Sequence, residues 1–237
     1  MTVLVEICVD DVAGVRAALK GGADRIELCS ALDLGGLTPS AGLMRHAVAS
    51  GLPVMAMIRP RAGDFVWSPD EIAVMQADIE TARAAEVAGV VLGASRPDGR
   101  LDGDVLGLLI GRAAGMVATL HRCFDLTPDP FEALETAVDL GFRRILTSGQ
   151  APTATEGAGL LAALMNRAAG RIIIMPGAGI RAETVDGLKH LALSEIHASC
   201  RSAKPGSGRG VSLGFSPAVE QRTDAARIRA LRQALAG

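Results

Sequence analysis

Aromatic residues are almost missing from the sequence, which has no tyrosine and one tryptophan; together aromatics make up 3% of its 237 residues. A basic excess is also missing, because 24 lysines and arginines face 26 aspartates and glutamates, and we expect no nucleic-acid partner. No apolar run approaches the roughly 18 residues that cross a bilayer, and we expect no membrane partner. The first residues, MTVLVEICVDD, lack the basic segment of a signal peptide and predict a first strand.

Cysteine is scarce as well. Its four positions, Cys8, Cys29, Cys123 and Cys200, lie far apart and form no C-x-x-C pair. This spacing favours free thiols over a disulfide framework.

Aliphatic residues dominate instead, and hydrophobic residues make up 49% of the chain. Such a composition suits helices packed on buried parallel strands. Eight short apolar runs alternate with helix-like segments, at 3–9, 24–29, 53–58, 88–92, 116–121, 143–147, 171–175 and 194–198. We predict a single α/β domain over residues 1–237, a TIM-type (β/α)8 barrel, with a doubly wound sheet as the alternative.

Capping residues mark the predicted helices. Thr38, Ser68 and Asp129 each precede a proline, as N-caps do, and glutamates stand three residues after Ser68 and Asp129. Helix ends are predicted at Gly22, Gly51 and Gly141, a further helix near Arg181, and the last helix at 221–235. Residues 201–215, rich in glycine, serine and arginine, are predicted to form a long loop before that last helix.

Polar residues interrupt the predicted strands on the face that should line the barrel. Side chains alternate between the two faces of a strand, and the apolar face must meet the helices. The polar face carries Glu6, Cys8, Arg25, Glu27, Cys29, Arg59, Thr119, His121, Glu195, His197 and Ser199. Buried charges must pair, so one interpretation is an ionic network of Glu6 and Glu27 with Arg25 and Arg59. The other is a ligand pocket at the carboxyl ends of the strands, where active sites of this fold lie.

The pocket interpretation assigns roles by residue type. The catalytic candidates are the proton-exchanging side chains Glu27, His121, Asp125 and His197. We expect His121 to exchange protons near neutral pH, with Glu6 or Glu27 holding its ring or acting as a base. The ligand-binding candidates are Glu6, Arg25, Arg59, Arg61, Arg122, Ser148, Gly177, Gly179 and Arg201. A tight turn explains the glycine loop 177–179 equally well, and no nucleophile is marked.

Seven ordered segments make the sequence resemble the CutC family, whose members are often called copper homeostasis proteins. They are EICVD (6–10), GGADRIELC (21–29), GGLTPS (35–40), MIRPRAGDF (57–65), HRCFD (121–125), ILTSGQ (145–150) and IHAS (196–199). The resemblance implies a TIM barrel, a cytoplasmic setting and a role in copper handling. It also implies Cys8 and Cys29 as ligands of Cu(I), which prefers thiolates. Ala178 departs from the family, which usually carries glycine there.

Three functional hypotheses follow from these features. The first is a copper-binding protein that uses Cys8 and Cys29, two thiols that also suit a purely structural role. The second is an enzyme acting on a small anionic, phosphorylated or sugar-like metabolite in the mouth of the barrel. The third is an interaction scaffold, which does not explain the inward charges. A barrel of this size is compatible with assembly into a homo-oligomer, although no apolar stripe marks an interface.

Overall fold

The computed structural model describes residues 3–237 and arranges eight parallel strands in a ring. They are β1 (Leu4–Val9), β2 (Arg25–Leu28), β3 (Val54–Met57), β4 (Gly89–Leu92), β5 (Val117–Leu120), β6 (Arg144–Thr147), β7 (Ile173–Pro176) and β8 (Glu195–Ala198). Consecutive strands are hydrogen-bonded from β1 to β7, and β8 pairs with β1. β7 and β8 lie side by side without a ladder between them in the described residues. The barrel prediction is therefore confirmed, and the consecutive order excludes a doubly wound sheet.

Helices surround this ring. They are α1 (Val12–Gly21), α2 (Ala41–Val48), α3 (Pro69–Ala84), α4 (Gly103–Arg112), α5 (Pro130–Asp139), α6 (Ala158–Ala168), α7 (Arg209–Ser212) and α8 (Ala225–Ala236). Within residues 3–237, none of them has the length and apolar character that a membrane crossing requires. Between β7 and β8, where a helix near Arg181 is predicted, the chain forms only a short 3-10 helix at Val185–Leu188.

The capping predictions hold at two of the three helix starts. Ser68 and Glu71 form a reciprocal capping box at α3, and Asp129 accepts hydrogen bonds from the first turn of α5. The prediction for Thr38 is wrong, because Ser40 caps α2. The Thr38 hydroxyl instead accepts a hydrogen bond from the backbone N–H of Arg59, at 3.0 Å, and ties the loop after β2 to the end of β3.

Alternation along the strands divides the core into two parts. The larger part lies between the strands and the helices and contains outward residues such as Ile7, Ile26 and Leu28. A smaller cluster fills the barrel lumen with Cys29, Met55, Met57 and Val91. The rest of the lumen is occupied by buried polar side chains, as the alternation predicts.

Residues 201–223 differ from the prediction of a long loop. β9 (Arg201–Pro205) and β10 (Val219–Thr223) form an antiparallel hairpin that encloses α7, and the last helix starts only at Ala225. Both strands are largely exposed, so their sequences lack the apolar alternation that reveals a strand. Leu213, Phe215 and Val219 expose their apolar side chains in this segment.

Candidate active site and metal site

A closed ionic network fills the lumen at the amino-terminal ends of the strands. We call Glu6, Arg25, Arg144 and Glu195 the base layer. Arg25 donates to Glu6 and to Glu195 at 2.5 Å each, and Arg144 donates to Glu195 at 2.9 Å. Arg144 also donates to Thr119 at 3.1 Å. These groups satisfy one another, so the network locks the packing of the barrel.

The network prediction named two of these four residues correctly. Glu6 and Arg25 belong to the base layer, whereas Glu27 and Arg59 lie nearer the mouth and do not take part. Their places are taken by Glu195 and Arg144. Arg25, a predicted ligand-binding residue, lines neither cavity at the mouth.

Directly above the base layer, His197 lies between two carboxylates. Its Nδ1 is 2.9 Å from Glu6 Oε1, and its Nε2 is 3.7 Å from Glu27 Oε2. Burial alone raises the pKa of Glu6, but hydrogen bonding from His197 and the charge of Arg25 outweigh it and hold the pKa at about 2. Burial opposes charge on His197 too, yet the negative charge of Glu27 raises its pKa well above 6.5. The two carboxylates therefore favour the protonated form of His197.

Only one of the two carboxylate oxygens of Glu27 accepts a hydrogen bond from the described residues. Its Oε2 accepts from the Cys29 thiol at 3.7 Å, while Oε1 is buried and has no protein partner among the described residues. Burial raises the pKa of Glu27. Glu27 therefore keeps one buried carboxylate oxygen whose hydrogen bond is not completed within residues 3–237.

His121 differs from the expectation that it exchanges protons near neutral pH. Burial, and the charge of Arg59, lower its pKa to about 3. Its Nδ1 accepts the backbone N–H of Cys123 at 3.2 Å, and its Nε2 has no protein partner among residues 3–237. Neither Glu6 nor Glu27 holds this ring; both of them face His197 instead.

A glycine makes room for His121. A methyl group added at Gly93, just after β4, would collide with Cys123 Sγ and with the imidazole ring. The Phe65 ring lies on the other side, with 4.7 Å between the ring centroids. The ring of His121 is thus fixed from both sides.

Arg59 and Arg61 are largely occupied by contacts within the protein. Arg59 donates to the backbone carbonyls of Leu34, Gly36 and Gly63 and stacks on Phe65. Arg61 pairs with Asp64 and Glu71 on the outside of the loop. Arg59 lines the mouth and connects the loops after β2 and β3. Arg61 lines neither of the cavities at the mouth.

Asp125 organises the loop after β6. Its carboxylate accepts from the Thr147 hydroxyl, from Ser148 and from the backbone N–H of Gln150, so both oxygens are occupied. It also accepts from Arg122 at 2.7 Å, and Arg122 donates to the Ser148 hydroxyl at 2.8 Å. Asp125 and Ser148 therefore position Arg122 at the mouth.

The glycine loop after β7 contributes backbone to the mouth. Ala178 and Gly179 have φ angles of 75° and 71°, in the left-handed region, and both line the cavity. Gly177 lies against Leu146, whose side chain a methyl group there would meet. Arg201 lines the same cavity while it pairs with Asp33 at 2.8 Å.

Two adjoining cavities occupy the mouth, and both are lined by Cys8, Arg122 and His197. The outer compartment measures about 320 Å³ and lies between the loops after β7 and β8. Four arginines and one glutamate line it: Arg122, Arg181, Arg201, Arg227 and Glu183. The deep compartment measures about 170 Å³, and its further lining includes Glu27, Leu32, Met57, Phe65, His121 and Leu146.

Cys8 belongs to a set of donor atoms that suits a metal ion. Its Sγ, a Glu27 oxygen and a His197 nitrogen all lie within 4.8 Å of one another. Cys29 is outside this set. It packs in the lumen cluster with Met55 and Met57, and burial raises the pKa of its thiol well above the ordinary value.

Sequence reasoning missed three arginines of the site. Arg144 starts β6, and alternation in that strand would have turned it inward with Leu146. Arg181 and Arg227 reach the outer compartment from a turn and from α8. No local pattern marks them, because their position depends on how α8 packs beside the loop after β7.

Comparisons with known proteins agree with the fold and with these segments. The sequence model of the CutC family matches residues 3–202. A CutC family protein of Sinorhizobium medicae (strain WSM419) is 57% identical over 235 residues, which cover 98% of this chain and 96% of the relative.

Solved structures give the same result. A CutC protein from Streptococcus agalactiae, provisionally named a copper homeostasis protein, superposes with a TM-score of 0.79 at 31% identity. The match covers 83% of this chain and 98% of that one. A thiamine phosphate pyrophosphorylase from Pyrococcus furiosus has a TM-score of 0.60 at 12% identity, covers 99% of this chain and 96% of its own, and shares the fold alone. The chain belongs to the CutC family.

Proposed function

We propose that this protein binds a copper ion in the cytoplasm as part of copper homeostasis, with Cys8 and His197 as the principal ligands and Glu27 beside them. The single observation that carries the proposal is the clustering of their donor atoms within 4.8 Å at the junction of the two compartments. A thiolate and an imidazole together suit copper ions. The four cysteines are free thiols, which a reducing cytoplasm maintains.

This donor set differs from the pair that the family resemblance implies. Cys8 stays in it, while Cys29 is replaced by His197, because Cys29 lies among the apolar residues of the lumen. Ligation requires His197 to release a proton. Its raised pKa means that protons compete with copper, and affinity should fall as the pH falls.

Competition titration with Cu(I) under reducing, anaerobic conditions tests the assignment. We expect Cys8→Ser and His197→Gln each to weaken binding by about tenfold or more, since each removes one ligand. Cys29→Ser is the matched control and should keep wild-type affinity. The proposal is wrong if Cys8→Ser binds copper as the wild type does, and the ligand pair is Cys8 with Cys29 if Cys29→Ser loses affinity equally.

A second candidate function is favoured by the outer compartment. Four arginines against one glutamate suit a small organic anion, and the compartment adjoins the acid–base group of Glu6, His197 and Glu27. An enzyme for a phosphorylated or sugar-like metabolite fits this arrangement. Thermal-shift screening of such anions tests it, and stabilisation should be lost in Arg122→Ala.

A further inference from the structure

The deep compartment is lined by three residues that each keep a buried polar atom without a hydrogen bond. His121 is 4% exposed, Glu27 is 3% exposed and Arg59 is 6% exposed. Within residues 3–237, His121 Nε2, Glu27 Oε1 and Arg59 Nε have no protein partner. Buried polar groups are nearly always satisfied, so their partners must come from whatever enters the compartment.

The hydrogen bond at Nδ1 fixes the role of His121. Because the backbone N–H of Cys123 donates to Nδ1, that nitrogen carries a lone pair and the ring proton is on Nε2. The neutral ring therefore offers an N–H donor to the compartment. Gly93 and Phe65 hold the ring in this orientation.

Glu27 offers the complementary acceptor. Its Oε2 faces His197 and Cys29, which leaves Oε1 as the atom available to a ligand. A ligand must therefore bring acceptors for His121 and Arg59 and one donor for Glu27. A carbonyl or ether oxygen meets the first need, and a hydroxyl group meets the second.

The other walls limit the size and kind of ligand. Leu32, Met57, Phe65 and Leu146 are apolar, and they suit the carbon skeleton of a small molecule. The volume of about 170 Å³ is close to that of cavities that hold about six non-hydrogen atoms. Arg122 borders both compartments, so a ligand in the deep one has its next binding group in the arginine-lined outer one.

We propose that the mouth binds a short hydroxy-carbonyl compound with an anionic group. Its carbonyl oxygen accepts from His121 Nε2, its hydroxyl donates to Glu27 Oε1, and its anionic group lies beside Arg122 in the outer compartment. The proposal rests on the second candidate function, which it narrows to a substrate class. It requires no metal ion.

Isothermal titration of the chelator-treated full-length protein tests this assignment. The probes are dihydroxyacetone phosphate, which carries all three groups, glycerol 3-phosphate, which lacks the carbonyl, and inorganic phosphate. We expect dihydroxyacetone phosphate to bind about tenfold more tightly than either of the others, the value of one well-formed buried hydrogen bond. The gain over glycerol 3-phosphate should disappear in His121→Leu, whereas Glu27→Gln, which keeps only a neutral acceptor, should weaken both hydroxyl-bearing probes relative to inorganic phosphate.

Two further variants keep the result interpretable. His121→Gln keeps an amide donor near the position of Nε2 and should retain part of the gain, whereas His46→Leu, on the exposed face of α2, should bind as the wild type does. Equal affinity for the three probes, or an unchanged gain in His121→Leu, overturns the proposal. If inorganic phosphate binds and dihydroxyacetone phosphate binds no more tightly, the protein still binds an anion, as the second candidate function requires. The hydroxy-carbonyl class of substrate is then rejected. The Cu(I) titration is independent of either result.

Discussion

The base layer and the mouth of the barrel contain the same kinds of side chain in the same buried setting, and they differ in how their hydrogen bonds are completed. In the base layer, Arg25 and Arg144 reach Glu6 and Glu195 directly. At the mouth, Glu27 and His121 are as buried, but each keeps a polar atom without a partner in the part of the chain that the structure describes. Burial alone therefore does not identify a functional group in this lumen; incomplete hydrogen bonding does.

The largest effect should come from breaking the base layer. Replacing Glu195 by alanine leaves Arg25 and Arg144 close together, with Glu6 as their one remaining counter-charge among the described residues. Removing one partner of a buried ionic group typically costs about 3–5 kcal/mol. We expect Glu195→Ala to lower the free energy of unfolding by this amount in urea denaturation, or to prevent folding altogether.

Glu27→Gln is the matched control for that comparison. It changes a buried carboxylate in the same lumen that faces His197 and pairs with no arginine among residues 3–237. We expect its free energy of unfolding to fall by less than that of Glu195→Ala, because Glu6 still holds His197 and the amide keeps the shape of the side chain. An equal loss of unfolding free energy in Glu195→Ala and Glu27→Gln would contradict the distinction between the base layer and the mouth.

The pH dependence of the free energy of unfolding should distinguish the mouth from the base layer further. The folded-state pKa of His121 is about 3, below its ordinary value of 6.5, so the unfolded chain takes up a proton first as the pH falls. His121 thus contributes stability above pH 6.5 that is lost as the pH falls toward 3. Between pH 6.5 and 4.5 this loss is about 2 kcal/mol.

Urea denaturation of the wild type and of His121→Gln at both pH values measures this contribution. The variant cannot take up that proton, and its stability should fall by about 2 kcal/mol less than that of the wild type. His197 has the opposite sign, because its raised pKa gives stability that is present below pH 6.5 and lost as the pH rises. If the free energy of unfolding falls equally in the wild type and in His121→Gln, the folded protein does not keep the His121 ring neutral.

The alternation of side chains explains how far the site could be predicted from sequence. Glu6, Glu27, His121 and His197 were expected in the lumen, and the structure places all four there, because strand geometry fixes the facing of each side chain. The barrel itself followed from the repeated apolar runs. Both results depend only on local pattern.

Pairing within the lumen could not be predicted in the same way. Arg59 is bound by the carbonyl groups of two loops, and Arg144 takes the place beside Glu195 that sequence reasoning did not foresee. Which charged groups meet depends on the stagger of the strands and on loop conformation. The β9–β10 hairpin was missed for a related reason, since exposed strands need no apolar face.

The smallest expected effect concerns backbone strain at the mouth. Ala31, Gln150, Ala178 and Cys200 all follow the carboxyl ends of strands and have positive φ angles between 44° and 75°. A left-handed conformation costs a residue with a Cβ about 1–2 kcal/mol, and glycine avoids that cost while losing more entropy on folding. We expect Ala178→Gly to raise the free energy of unfolding by about 0.5 kcal/mol, measured by urea denaturation.

Ala182→Gly is the control, since it lines the same compartment and lies outside the left-handed region. It should lower stability by up to about 1 kcal/mol, because glycine only adds freedom to the unfolded chain there. Opposite signs for the two substitutions would place the strain in the loop after β7, which lines the outer compartment. A loss of stability in Ala178→Gly as large as that in Ala182→Gly would mean that the loop accommodates a Cβ without strain.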